Sequence, residues 1–199
     1  MTAILPLIYL CRHGQTDWNA VGRIQGQIDT PLNNLGRAQA KRNGRYLRNV
    51  LGEGIAGFDF LASPLARTRE TMRIIRRECS LPEEDFATDP RLMELNFGDW
   101  QGYTLAQIAE HDMPAIRERK AHKWDFVPPG TEGESYQMLA ERAQPVFEAL
   151  QRPTIVVAHG GISRIFLKLY AATPGAKAAH SAVFQDRILK FENGQVSWV

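Results

Sequence analysis

Short apolar runs alternate along the chain with longer segments whose apolar residues recur every three or four positions. LIYLC at 7–11, FDFLA at 58–62 and TIVVA at 154–158 have the length of strands. TIVVA is apolar throughout, as a strand covered on both faces of a parallel sheet must be. Helical spacing fills the intervals. LGRAQAKRNGRYLRNVL at 35–51 places Leu35, Ala38, Leu47 and Leu51 near one face. In SPLARTRETMRIIRREC, Ser63 can cap a helix and Pro64 suits its first position; Leu65, Met72 and Ile75 supply the apolar stripe, and the arginines of the opposite face are expected in solvent. ESYQMLAERAQPVFEAL at 134–150 predicts a helix that Pro145 kinks or divides, and GISRIFLKLYA predicts another after TIVVA. RILKFENGQVSWV alternates about Asn193 and Gly194, the pattern of a two-residue hairpin turn.

Strands alternating with helices predict an α/β fold: a three-layer α/β/α sandwich with a mostly parallel central sheet and a C-terminal hairpin. The 199 residues show no repeat, linker or break in composition, so one domain is expected over 1–199. In such sheets ligands bind beyond the carboxyl ends of the strands. Arg12 and His13 end the first strand, Arg67 lies just past the second, and His159 ends TIVVA, so three strands deliver cationic or titratable side chains to one edge. Arg67 falls in the first turn of a helix, where a cation is unfavourable by roughly a few tenths of a kcal/mol unless an anion is shared there. One such arginine, or one histidine, taken alone is better accounted for by solvent or a core hydrogen bond; their coincidence at strand ends favours an anion site. Gly14, Gly160 and Gly161 follow the two histidines directly and would let backbone approach a ligand.

Composition acts by exclusion. A net charge of +2 and a pI near 8.6 are too weakly basic for a nucleic-acid partner. No apolar stretch approaches the roughly 18 residues of a membrane helix. MTAILPLIYLCRHG lacks a basic leader and is interrupted by Arg12, so a cytoplasmic protein without membrane attachment is expected. Cys11 and Cys79 form no framework and read as ordinary buried thiols in a reducing compartment. There is no HExxH, HxH or CxxC, and the arginines would repel a divalent cation; no metal and no cofactor is expected. GEGIAG at 52–57 has the dinucleotide spacing GxGxxG but precedes a strand, so it reads as a loop. Neither cysteine has an arginine six positions later and no GxxxxGK[ST] occurs, which leaves histidine as the candidate nucleophile.

LCRHGQTDWN at 10–19 resembles the LxRHGxTxxN motif of the histidine phosphatase superfamily, which includes the cofactor-dependent phosphoglycerate mutases. SPLARTRET, MELNFGDWQG and VVAHGG resemble that family's second arginine, acidic and second histidine motifs, in the family's order. The resemblance implies a phosphomonoester hydrolase acting on a small phosphorylated metabolite, with His13 the residue that becomes phosphorylated. Arg12, Arg67 and His159 would hold the phosphoryl oxygens, and Glu94 would be general acid and base unless it pairs with Arg91. Asn19, Gln25, Gly26 and Gly160 match positions lining the phosphate or substrate side. Neighbouring Arg12 and Arg67 should keep the His13 imidazole neutral, as attack requires.

Two alternatives stand beside the phosphatase: a phosphoglycerate mutase, and a non-catalytic phosphoryl-binding module. The mutases carry a longer insertion with paired arginines after the acidic motif, whereas here that region has only IRERK; the module would be expected to lack His13 or Glu94, and both are present. A lid at about 97–133 would choose the substrate. Trp100, Tyr103, Trp124 and Phe126 could wall a leaving group or simply pack locally, and Arg117 or Lys123 could add a contact or lie in solvent. The expected partner is a small phosphate monoester, with a homodimer possible through the C-terminal strand.

Overall fold

The structure, a computed structural model, describes residues 5–199. Its sheet has six strands in the order β3-β2-β4-β1-β5-β6. These are β1 (Ile8–Arg12), β2 (Asp59–Ala62), β3 (Ala87–Thr88), β4 (Thr154–Ala158), β5 (Ile188–Glu192) and β6 (Gln195–Trp198). β3, β2, β4 and β1 run parallel, with Ile8 opposite Thr154 and Arg12 opposite Ala158 across the β1–β4 ladder. β5 and β6 are antiparallel and close the C-terminal hairpin through Asn193 (φ 51°) and Gly194 (φ 78°), the two left-handed positions of a primed turn. The mostly parallel sheet and hairpin therefore agree with the sequence pattern.

Successive strand residues point to opposite faces, and both faces are covered. On one, Leu10, Val156 and Ala158 pack with Leu139 and Phe147 of α6 (Tyr136–Glu148) and with Ile162 and Phe166 of α7 (Gly160–Tyr170). On the other, Cys11, Ile155 and Val157 meet Leu47 of α2 (Asn34–Leu51) and Met72 and Ile75 of α3 (Ala66–Glu78). That double cover is why TIVVA carries no polar side chain after Thr154; each fully buried Val, Ile, Leu or Phe contributes about 1.5–3 kcal/mol. Short helices α1 (Asp17–Ala20), α4 (Leu105–His111), α5 (Met113–Ala121) and α8 (Gly175–His180) complete the fold. Among the described residues no helix is long and apolar enough to cross a membrane.

Several local expectations are corrected. The buried face of α2 is Gly36, Ala40, Asn43, Gly44 and Leu47, while Leu35 and Ala38 face solvent. Small residues four apart let α2 close onto α3: a Cβ on Gly44 would stand 2.8 Å from Glu78 Cβ and 3.1 Å from Ile75 Cα. Ser63 and Pro64 lie ahead of α3, whose N-cap, Leu65, makes no side-chain cap; Asp29 caps it from a distant loop, accepting from the Ala66 amide at 2.7 Å. Arg76 is buried instead of solvated, 4.2 Å over the Phe60 ring and donating to Pro82 O at 2.6 Å. α6 runs undivided through Pro145, which sits with Glu141 on the exposed side of the helix. Residues 52–57 form 3-10 turns between α2 and β2 and not an open loop. Cys11 and Cys79 are buried free thiols whose pKa values burial raises, that of Cys79 to about 11.

Candidate active site

Because β1, β2 and β4 are mutually parallel, their carboxyl ends meet at one edge. There Arg12, His13, Arg67 and Glu94, with Asn19, Gln25 and Gly26, line a cavity of about 180 Å³. His159 lies behind His13, ring centroids 5.2 Å apart.

The His13 amide donates to Ala158 O at 2.9 Å, continuing the β1–β4 ladder by one residue. Its Nδ1 is 2.8 Å from Gly14 O, an acceptor only, so Nδ1 carries the hydrogen and Nε2 keeps its lone pair. Burial above all, then Arg67 and Arg12, hold the imidazolium pKa well below the usual histidine value. His13 is thus the neutral histidine that the adjacent arginines imply.

Arg12 donates from Nη1 to Val183 O at 3.2 Å, and burial lowers its pKa to about 10 against the opposing pull of Glu94. Arg67, fully enclosed, donates from Nη1 to Ile28 O at 2.8 Å and from Nη2 to Gly26 O at 2.7 Å, with Asp29 3.7 Å away. Asp29 therefore supplies part of the negative charge expected at this helix start. His159 Nε2 is 2.8 Å from Ser63 Oγ. A hydroxyl donating there leaves the hydrogen on Nδ1, and burial, Arg67 and His13 keep this ring neutral too.

The unpaired atoms are informative. Among the described residues, four buried side-chain polar atoms lack a partner: Arg12 Nε, Arg67 Nε, His159 Nδ1 and the remote Tyr170 hydroxyl. A buried donor left unpaired costs about 1–3 kcal/mol, so three in one cluster mark a place built for an acceptor with several oxygens.

Glu94 faces these donors from the segment after β3. Its carboxylate accepts from the Gly161 amide at 2.9 and 3.2 Å and from its own Leu95 amide at 2.9 Å. Arg142 braces the backbone beneath it, donating to Arg91 O at 2.8 Å and more weakly to Met93 O and Glu94 O, while Glu134 holds that guanidinium with two 2.8 Å contacts. Arg91 turns away to Asp89 at 2.7 Å and does not pair with Glu94.

Two of the glycines serve the protein instead of a ligand. A Cβ on Gly14 would overlap the Gly36 backbone, and one on Gly161 would overlap Glu94 Oε1 and stand 2.9 Å from Leu139. Gly161→Ala is accordingly expected to lower kcat/KM for an alkyl phosphate by about 10²-fold through misplacement of Glu94, with little change in thermal midpoint; steady-state kinetics beside a melting curve checks this. Asn19 closes a capping box with Thr16, and its Oδ1 accepts from Gln185 Nε2 at 3.1 Å. Gln25 accepts from the Thr30 hydroxyl, and Gly26, at φ 54°, offers its carbonyl to Arg67. Gly160 fills the narrow gap between the Arg12 and Arg164 guanidiniums.

Of the two expectations for the lid aromatics, a wall or local packing, Trp100, Trp124 and Phe126 follow the second. Trp100 packs on Phe126 at 5.2 Å, Trp124 stacks on Tyr136 at 5.8 Å in the main core, and Tyr103 is exposed. Phe97 and Leu105 line the cavity instead, and from IRERK it is Arg119, not the exposed Arg117, that reaches it. Ser63, Gln185, Arg142 and Arg164 escaped the sequence reading; of these only Ser63 stood in a motif, where capping explained it. Among the described residues no three His, Cys, Asp or Glu side chains gather as a metal site requires.

The family model of the histidine phosphatase superfamily, branch 1, matches residues 8–198. A metal-independent phosphoserine phosphatase of Arabidopsis thaliana is 34% identical over 182 residues, covering 88% of this chain and 74% of the relative. A glucosyl-3-phosphoglycerate phosphatase of Mycobacterium tuberculosis is 35% identical over 182 residues, covering 83% and 77%. The solved structure of a mycobacterial glucosyl-3-phosphoglycerate phosphatase with VO3 superposes with a TM-score of 0.77 at 30% identity, covering 98% of this chain and 96% of the other. Fold and sequence thus define a phosphoryl-handling α/β protein, and the chain belongs to the histidine phosphatase superfamily.

Proposed function

We propose that the chain is a metal-independent hydrolase of small phosphate monoesters that works through a phosphohistidine on His13. The observation that carries this is the set of three buried, unpartnered donors around a neutral histidine with a free Nε2. Arg12, Arg67 and His159 hold the phosphoryl oxygens and stabilise the charge that spreads over them in flight. His13 Nε2 forms the bond to phosphorus as the ester bond breaks, and Glu94 gives a proton to the departing oxygen. Water then attacks the phosphohistidine, Glu94 takes a proton from it, and inorganic phosphate leaves with His13 neutral again. The two relatives named above as phosphatases, one of them metal-independent, support the hydrolytic reading, as does the short 97–133 segment with its single inward arginine.

Hydrolysis of p-nitrophenyl phosphate should persist in excess EDTA and be suppressed by vanadate. Loss of turnover on chelation, restored by a divalent cation, would overturn the mechanism.

A further inference from the structure

The site is braced by a stretch of chain that carries none of the reacting groups. Residues 181–187 run from the end of α8 to β5, and two of them touch the site. Val183 O accepts from Arg12 Nη1, and Gln185 Nε2 lies 3.2 Å from His13 O and 3.1 Å from Asn19 Oδ1. The stretch is itself anchored. Asn43, buried on α2, donates from Nδ2 to Gln185 O at 3.0 Å; Asp186 pairs with Arg42 at 3.5 Å; and the Phe184 ring stands edge-on to Trp198 of β6 at 5.0 Å.

Hydrogen-bond chemistry fixes which way the two side-chain amides face. A backbone carbonyl can only accept, so the Gln185 atom toward His13 O is the nitrogen, and its second hydrogen goes to Asn19. A backbone amide can only donate, so the Asn19 atom 3.3 Å from Thr16 N is Oδ1, the same atom that meets Gln185. With Oδ1 taken by two donors, Nδ2 is the Asn19 group left for an oxygen in the cavity, which this residue lines with Arg12, His13 and Arg67. The Thr16 bond is long, so Gln185 is the firmer of the two braces. Were it lost, the Asn19 amide could turn over and set an oxygen against the bound anion.

The other hydrogen acts beside the nucleophile. His13 O belongs to the peptide that joins His13 to Gly14, and Gly14 O is the acceptor that holds His13 Nδ1. The carbonyl that Gln185 grips and the carbonyl that sets the imidazole tautomer are therefore consecutive along the chain.

We propose that Gln185 is a positioning residue for phosphoryl transfer: its side-chain amide turns Asn19 so that Nδ2 faces the phosphoryl oxygens, and it steadies the peptide that follows His13. This rests on His13 being the phosphoryl acceptor. Gln185 does not line the cavity, so it acts through these two neighbours. Donors held in place before the substrate arrives need no reorganisation as charge develops, which is where the rate advantage lies.

Two substitutions separate orientation from packing. Gln185→Leu removes the amide, whereas Gln185→Glu keeps the shape and puts a carboxylate where the donor stood, to which Asn19 can offer only Nδ2. In kcat/KM for p-nitrophenyl phosphate, Gln185→Leu should lose about tenfold, the scale of one or two neutral hydrogen bonds, and Gln185→Glu about 10²- to 10³-fold. A residue that only packs gives the opposite order, because glutamate is the closer isostere. On an Asn19→Ala background the gap between the two variants should close to about threefold, since the group they turn in opposite senses is gone. A Glu variant as active as the Leu variant, or a gap that persists on Asn19→Ala, would overturn the positioning role. Gln185→Met, unbranched like glutamine, replaces Gln185→Leu if a melting curve shows that the latter does not fold. Should Gln185→Glu not fold, the loss in Gln185→Leu is read alone: it should be smaller on Asn19→Ala than on the wild type, and equal losses overturn the proposal. Trapping with labelled substrate keeps the two readings apart. A wild type that gathers no label on His13 removes the phosphohistidine mechanism itself, whereas label there together with either contrary result removes Gln185 alone.

Discussion

Replacing His13 by alanine should lower kcat by about 10⁴- to 10⁶-fold, the scale on which a covalent nucleophile is lost. The side chain makes one hydrogen bond, to its neighbour's carbonyl, so the fold should survive the change while Nε2 disappears. Rapid quenching of the wild type with labelled substrate should trap an acid-labile, base-stable phosphoryl group, and His13→Ala should trap none. Label on a serine is the result to watch for, because Ser63 stands one hydrogen bond from His159. Phosphate found there, or on an aspartate or cysteine, would remove His13 from the mechanism.

The second large effect belongs to Glu94→Gln. Glutamine keeps an oxygen for the Gly161 amide and so preserves the local geometry while removing the transferable proton. For an alkyl phosphate, whose alkoxide must be protonated as it leaves, the phosphorylation step should slow by about 10²- to 10⁴-fold. p-Nitrophenolate departs without that help, and its step should slow far less. Single-turnover kinetics isolates this step; equal losses on both substrates would make Glu94 a structural residue and send the search for the proton donor elsewhere.

Of the two residues, His13 was legible because it sits at a strand end, where parallel topology forces convergence, whereas Glu94, well past the end of β3, was reached only through the resemblance of MELNFGDWQG to the family's acidic motif. His13, Arg67 and His159 needed only the strand pattern and the rule that parallel strands open their sites at the carboxyl edge. Residues whose role depends on distant chain were not legible. Asp29 caps α3 from 37 positions away, and local chemistry assigned that duty to Ser63, which instead meets His159 across 96 positions. The face of α2 was misread for a related reason. Periodicity weighs large apolar residues, but the contact with α3 needs small ones, so Gly36, Ala40 and Gly44 lie inside while Leu35 is 52% exposed. Arg119 was passed over for Arg117 because a helix with no buried residue carries no stripe from which its facing can be read.

The placement of β1 between β4 and β5 divides the site by mechanical rank. His13 continues a strand laddered on both sides, so an excursion that displaced it would have to open the centre of the sheet, at a free energy near that of unfolding the whole protein. Arg119 rides on α5, which buries no side chain fully and can part from the body by a far cheaper, sub-global opening. Amide exchange would sort the two halves into slow and fast classes. On the proposed chemistry the phosphoryl acceptor is thus held by the part of the fold that opens at the highest cost, and the cavity wall carrying Arg119 by a part that opens at a lower one.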